Sequence, residues 1–526
     1  MNIQYFIKQN VLLFLVILLA SIVFLTNLGG QGYSLDEPQT VAIARTILTF
    51  GYPSGWDGKT FLSGSDGRDF TVINGMYFWT WHPWLQFYLI VPFYFFFGNS
   101  IAMLRFPFAL LGVITVIVLY LITQDIFKKK WIAALLSLQL TFLIPFFLYA
   151  RQVRYYSLSA LLSVLLFWLL LRFVDNRFNK KLIFVFLLTG LLLFSANYLI
   201  WLSCLPLFFF VAILKKNKPV IFVILFESLV AFIWFHFFKP YGYGGGSVTG
   251  YYFPGRPNLL IETLRHLSYF NNFVFPFIVF PLTVYSAWRL RKLRYVWIAA
   301  LWIGEKVIIY SLLVDPHGRN LVDIMPVSLL FFGFIYLFFR NNRQPVLILL
   351  LFFATVTTNF LSLVPAYLFS SHLRQFRFYP QDLTTELTGS YPPPYLQVSD
   401  YLSMKAKPGD LFWSNYARWD IYLYANVPTL SNIPICGTTT KLFVGKQNLT
   451  QQSKVRWFIF YQGLPQSLNA FPCLGSKWQK YMVQHYTRRI FPLDKDTYAL
   501  NDPDIVNRQF PPGKIPPDSV IIYEKE

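Results

Sequence analysis

Long uncharged stretches recur along this chain, and many of them are long enough to cross a bilayer; no motif constrains the fold as much. A spanning helix needs about 20 largely apolar residues. Eleven candidate spans lie at about 9–28, 104–127, 131–149, 157–174, 182–197, 199–214, 219–238, 273–288, 295–314, 321–339 and 346–369. The fifth and sixth are short and read equally as one broken hairpin. Only 13% of the 526 residues are charged, about half the share of a soluble domain. The 57 Phe, 33 Tyr and 15 Trp suit spanning and interfacial helices. A soluble enzyme, a disordered chain and a nucleic-acid module are excluded.

Charge orients the spans. The net charge of +21 sits in short clusters between apolar stretches: 128–130, 172–181, 215–218, 289–294 and 340–343. These fall at alternate junctions, so all five share one side if the amino terminus is cytoplasmic. Residues 11–28 lack a small-residue cleavage site and read as a retained first span. Trp84 to Gly98 is too short to span and would invert the pattern, so it is expected as a juxtamembrane helix closing an external loop, 29–103. A second external segment is expected over 239–272.

No apolar run after Ser370 is long enough to span. The fold expected is therefore a polytopic α-helical membrane domain, 1–370, with an extracytoplasmic domain, 371–526. Strand-like pieces at 410–414, 455–461 and 519–523 suggest a small α/β fold for the second part, entered through Pro392-Pro393-Pro394. Cys436 and Cys473 would lie in a compartment that permits a disulfide and are expected to be bridged. Three cysteines make no disulfide scaffold, and no Cys/His spacing resembles a zinc site.

Polar residues gather at the external junctions. Asp36-Glu37 follows the first span, His82 opens the juxtamembrane helix, Arg151 to Tyr156 separates spans three and four, and His317-Gly318-Arg319 separates spans nine and ten. Asp36 also reads as a helix N-cap, with Pro38 in the first turn and Gln39 at the capping-box position. His82 alone reads as a surface residue before a proline. Arg151 and Arg154 would share a face on a helix, on the side that the charge bias leaves poor in cations. Snorkelling to headgroups is one account. Bidentate phosphate binding is the other, and a cluster with Arg319 favours it. A carboxylate there can deprotonate a hydroxyl, and arginines at headgroup depth can hold a leaving phosphate whose lipid tail stays in the bilayer.

Asp36-Glu37, then Ala42-Ile43-Ala44-Arg45 and Gly51-Tyr52-Pro53, resembles the opening of the first external loop in GT-C fold glycosyltransferases. The resemblance is to the bacterial and archaeal relatives of protein O-mannosyltransferases and to the aminoarabinose transferase group. His82-Pro83-Trp84-Leu85 is similar to their His-Pro-Pro-Leu motif, with Trp84 replacing the second proline. Leu104-Arg105-Phe106-Pro107, Ala150 to Leu158 and His317-Gly318-Arg319 through Pro326 are similar to further family segments. The resemblance is dense over about 30–175 and thinner to about 340.

It implies a polyprenyl-phosphate-sugar donor, an inverting transfer to an extracytoplasmic glycan, lipid or protein, and Asp36 as base beside Glu37. Arg151, Arg154, Arg319 and His317 are then the candidates for the donor phosphate, with His82 and Tyr155 positioning substrate. Some members carry an acidic residue after the second external arginine pair, where a metal can bind. Here Tyr155 and Tyr156 stand there, and no cofactor is assigned, with a divalent cation left open. The alternative is a transporter or flippase for a lipid-linked substrate, on Glu227, Glu305 and Lys306 within predicted spans. A transferase should gather Asp36, His82, Arg151 and Arg319 at one external site; a transporter should line a midplane path with Glu227 and Glu305.

Overall fold

The structure, a computed structural model, describes residues 3–33, 36–58, 62, 69–177, 179–239, 259–313, 318–369, 376–390, 396–408, 410–414, 418–425, 429–430, 455–461, 484–492 and 519–525. The apolar runs form helices. In chain order the first are α1 (Ile3–Leu25), α2 (Glu37–Phe50), α3 (Leu85–Phe97), α4 (Ile101–Phe127), α5 (Lys130–Phe142), α6 (Ile144–Ala150), α7 (Tyr156–Val174), α8 (Lys180–Ala196), α9 (Tyr198–Leu214) and α10 (Lys218–Phe238). They continue with α11 (Leu259–Phe273), α12 (Phe280–Arg289), α13 (Leu293–Leu313), α14 (Met325–Ser328), α15 (Leu330–Asn341), α16 (Pro345–Thr357) and α17 (Phe360–Phe369).

Among the described residues α4, α7, α10 and α13 are each long and apolar enough to cross a membrane. Two bent pairs bring the number to six: α5 with α6, at 67°, and α11 with Phe277–Arg289, at 81°. Shorter apolar helices accompany them, Asn10–Leu25, α3, α9, Met325–Asn341 and α16. The first bend has a local cause. Leu143 is extended and Pro145 sits in the first turn of α6, where a missing N–H ends the preceding helix at no cost to the next.

The second half of the segment expected over 239–272 is helical. Residues 259–273 form α11, an amphipathic helix that packs against α13 and α17 and buries Glu262, His266, Asn271 and Asn272. Its two asparagines bond to backbone: Asn271 donates to the Ser362 carbonyl at 2.9 Å, and Asn272 to that of Ser268 at 2.8 Å. A search for uninterrupted apolar runs passes over such a helix.

Four of the five basic junctions meet at one end of the bundle. Arg172 pairs with Asp125 at 3.1 Å, and Arg294 with Asp175 at 3.1 Å. Lys215 donates to the Phe173 carbonyl at 2.8 Å, and Lys292 to that of Ile126 at 2.9 Å. Helix α4 runs from this end to Arg105 at the other. At 1.5 Å per residue that stretch is about 30 Å long, matching the hydrocarbon thickness of a bilayer. The chain is an integral membrane protein.

At the Arg105 end the loop after α1 folds into α2, a hairpin of β1 (Phe70–Ile73) and β2 (Met76–Trp79), and α3. The hairpin turns on Asn74 and Gly75, both with positive φ (50° and 79°), as a two-residue primed turn requires. The region after α17 contains α18 (Tyr379–Thr388), α19 (Leu396–Lys405), α20 (Arg418–Ala425) and a five-stranded mixed sheet. Its strands are β3 (Leu411–Ser414), β4 (Thr429–Leu430), β5 (Val455–Tyr461), β6 (Tyr486–Pro492) and β7 (Ser519–Lys525), in the order β4-β3-β5-β7-β6. The sheet shares one apolar core with the first loop: Val398, Phe412, Ile421, Trp457 and Ile522 belong to the same buried cluster as Val41, Ala44, Trp79 and Val153. Tyr422 on α20 donates to Asp57 at 2.6 Å. Cys436, Cys473 and the triple proline lie outside the described residues.

Candidate active site

Asp36 stands at the N-cap position of α2, yet its side chain makes no capping hydrogen bond. Its Oδ2 instead receives the Arg319 guanidinium at 2.9 Å and faces Nη2 of Arg154 at 3.5 Å. Arg319 lies on a single 3-10 turn, Gly318–Leu321, between α13 and α14. Arg154 lies in the irregular link between α6 and α7. Its Nη1 donates to Thr40 at 3.0 Å and to Gln39 at 3.4 Å, which lays the guanidinium along the first turn of α2.

His82 completes the cluster. The chain leaves β2 with the N–H groups of Thr80 and Trp81 bound to the Asp69 carbonyl, and Trp84 donates to the Trp79 carbonyl at 2.6 Å. Trp84 is then wedged against Trp234 and Phe238 on α10, with ring centroids 4.8 and 5.4 Å away. This fixes His82, whose Nε2 lies 3.2 Å from Nη2 of Arg154. Burial, and secondarily the Arg154 charge, hold the imidazole well below its ordinary pKa. It is therefore neutral, with Nε2 accepting from Arg154 and the proton on Nδ1. That Nδ1 is buried and has no hydrogen-bond partner among the described residues. Tyr155 sits beside it, ring centroids 6.1 Å apart, and under Arg154, 5.8 Å from its ring centre.

Two expected members are elsewhere. Glu37, next to Asp36 in sequence, points the opposite way and is fully buried. Arg105 grips it with Nε to Oε1 at 2.8 Å and Nη2 to Oε2 at 2.5 Å, while the Val153 N–H donates to Oε1 at 2.8 Å. The remaining Arg105 donors reach the carbonyls of Leu28, Gln31 and Gly32. Consecutive residues at a helix start diverge by about 100°, so the two acids meet different arginines. Arg151 is engaged by other partners. Residues 151–155 are turn and bend, so the face-sharing expected of a helix does not apply. Arg151 donates to the Thr26 carbonyl at 2.5 Å, pairs with Glu386 of α18 at 3.2 Å and stacks on Phe147. Burial pulls its guanidinium down to about 10 against the opposing pull of Glu386, so it stays charged at neutral pH. His317 lies outside the described residues.

Sequence reasoning missed the parts played by Arg105 and Glu386. Arg105 carried a signal, as a lone cation opening an apolar helix on the side poor in cations. Glu386 carried none.

Among the described residues no three His, Cys, Asp or Glu groups lie close enough to share a metal. Asp36 is flanked by two guanidiniums, where a metal wants further oxygen ligands. Of the three intramembrane groups named for a transport path, Glu305 is half-buried and the other two are packed into the bundle. Glu227 accepts from the Trp201 indole at 2.9 Å, and Lys306 pairs with Asp323 at 2.8 Å, both fully buried.

An acid held between arginines at one end of a polytopic helical bundle defines a class, integral membrane proteins with a partly buried charge cluster at one end of the bundle. Within it the chain has the fold of the GT-C glycosyltransferases. ArnT from Cupriavidus metallidurans bound to undecaprenyl phosphate superposes with a TM-score of 0.55 over 98% of each chain, at 13% identity. The apo state of that protein gives 0.52 over 97% of each, also at 13% identity. The Archaeoglobus fulgidus oligosaccharyltransferase, tethered with an acceptor peptide containing the NVT sequon, gives 0.51 over 86% of this chain and 69% of that one, at 11% identity. Residues 81–241 match the family model described as dolichyl-phosphate-mannose-protein mannosyltransferase. No curated protein matches the sequence.

Proposed function

We propose that this protein transfers a sugar from a polyprenyl-phosphate-sugar donor to an extracytoplasmic acceptor, a glycolipid, polysaccharide or protein, with inversion. The observation that carries the reading is the convergence of Arg154 and Arg319 on Asp36, about 30 Å of helix away from the basic end. It fits eleven spans, a cytoplasmic amino terminus and an extracytoplasmic domain from 371 onward. The ArnT bound to undecaprenyl phosphate shares the fold, which supports a lipid phosphate as the anionic ligand.

The chemistry follows from competition for the arginines. In the resting site the Asp36 carboxylate is paired with two guanidiniums, which occupy its lone pairs. A donor phosphate engages the same planar donors bidentately and releases Asp36. Asp36 then takes the acceptor hydroxyl proton as the acceptor oxygen attacks the anomeric carbon. The bond from that carbon to the phosphate oxygen breaks, and the polyprenyl phosphate leaves on Arg154 and Arg319. One displacement inverts the centre. Neutral His82, with its Nδ1–H unsatisfied, donates to substrate, and Tyr155 holds Arg154 from beneath. Glu37 and Arg105 keep the first turn of α2 in place. Arg151 ties α18 to the bundle.

The test is reconstitution in liposomes with a polyprenyl-phosphate-sugar and extracts of envelope acceptors, following sugar transfer by mass spectrometry and the product anomer by NMR. Absence of transfer from every polyprenyl-phosphate-sugar tried, with donor binding also absent, would sink the reading.

A further inference from the structure

One buried charge pair in the bundle has no part in the chemistry above, and it lies directly behind Arg319. Asp323 follows the 3-10 turn that carries Arg319, four residues on, and its side chain is completely buried. Its Oδ2 meets the Lys306 ammonium of α13 at 2.8 Å and Ser163 of α7 at 3.4 Å. Its Oδ1 accepts from Tyr310 of α13 at 3.0 Å. Lys306 in turn donates to Ser203 and Cys204 of α9, each at 3.1 Å, and lies over the Trp302 ring. One carboxylate thus ties the turn to α13 and α7 directly, and to α9 through Lys306. The flanking Leu321, Val322 and Ile324 are buried as well, so apolar contacts hold the turn down beside the polar ones.

A buried ion pair is poor value as pure stabilisation, because desolvating two charges offsets most of their attraction. Its directional hydrogen bonds set geometry instead. We propose that Asp323 is a positioning residue: its network with Lys306, Tyr310 and Ser163 fixes the rotation of the 318–321 turn, and with it the reach of Arg319 to Asp36. This deepens the proposed function by assigning a control on the phosphate-binding arm. The placement of Arg319 stands on geometry alone, whatever reaction the site performs.

The experiment uses the full chain in detergent and liposomes, comparing wild type with Lys306→Met/Asp323→Leu, which removes both charges together so that neither is left buried alone. Lys306→Met/Asp323→Asn, nearer in shape, serves if the first pair does not fold, as judged by its thermal midpoint. The first readout is independent of activity. Asp36→Cys and Arg319→Cys are introduced with Cys436 and Cys473 replaced by serine, and cross-linking by a short bifunctional thiol reagent, which spans the room left by the two side chains, is followed with and without the ion-pair substitutions. The expected result is a several-fold fall in cross-linking when the pair is removed. Unchanged cross-linking overturns the proposal.

The second readout is transfer. Displacing Arg319 by about an ångström should lower it on the order of 10²-fold. In an Arg319→Ala background the ion-pair substitutions should cost nothing further, because they act through that arginine. Full additivity in that background overturns the positioning role. Reduced cross-linking with transfer unchanged upholds the positioning of Arg319 but removes it from the proposed mechanism.

Discussion

Arg319 crosses 283 positions of sequence to place its Nη1 2.9 Å from Oδ2 of Asp36. The contact joins the turn between α13 and α14 to the first turn of α2, and both residues are partly open, at 31% side-chain exposure. That openness separates this pair from the sealed Arg105–Glu37 and Lys306–Asp323 pairs, and it is what a ligand needs in order to exchange with the carboxylate.

Asp36→Asn should lower transfer by about 10²–10⁴-fold, the usual worth of a general base, and should lower the thermal midpoint as well, because Arg154 is buried and loses its carboxylate partner. Donor binding should persist or tighten, since the arginines lose their internal competitor. Isotope-labelled donor binding beside a turnover assay separates the two effects.

Lysine substitutions should divide the arginines. Arg154→Lys and Arg319→Lys keep charge but lose the planar fork, so each should weaken donor binding by about tenfold or more, the worth of one charge-assisted hydrogen bond. Arg151→Lys should leave donor binding unchanged, because that guanidinium is engaged by Thr26 and Glu386. A parallel loss in Arg151→Lys would return it to the phosphate site.

Glu37→Gln should register in stability more than in chemistry. It leaves Arg105 charged and buried without a counterion, and breaking such a pair costs about 3 kcal/mol or more. A lowered thermal midpoint in detergent, with turnover per folded molecule falling far less than in Asp36→Asn, is the expected outcome.

His82 predicts the pH response. Its pKa is lowered in the fold from the ordinary 6.5, so below that value the unfolded chain binds a proton that the folded chain refuses. The stability contribution is complete above pH 6.5 and is lost as pH falls, at about 1.4 kcal/mol per pH unit until the folded imidazole also titrates. His82→Gln should flatten that part of the profile. Thermal midpoints of both proteins in micelles across the acid range check the difference.

What the sequence determined unaided was local and additive. Transfer of an apolar run into lipid depends on its own composition, so most helices of the bundle were legible, as were the basic junctions that meet at one end. The strands at 411–414, 455–461 and 519–525 were legible for the same reason, from composition and alternation in short windows. The polar helix α11 was not, because its acceptability in the bundle rests on partners such as Ser362, far along the chain. The tertiary structure alone decided which charges meet. Arg151 and Arg154, three apart, separate toward Glu386 and Asp36, and Glu37 turns to Arg105 while its neighbour turns to Arg319. Such pairings depend on which helix ends the packing brings together, and a buried charge accepts whatever counterion that packing supplies.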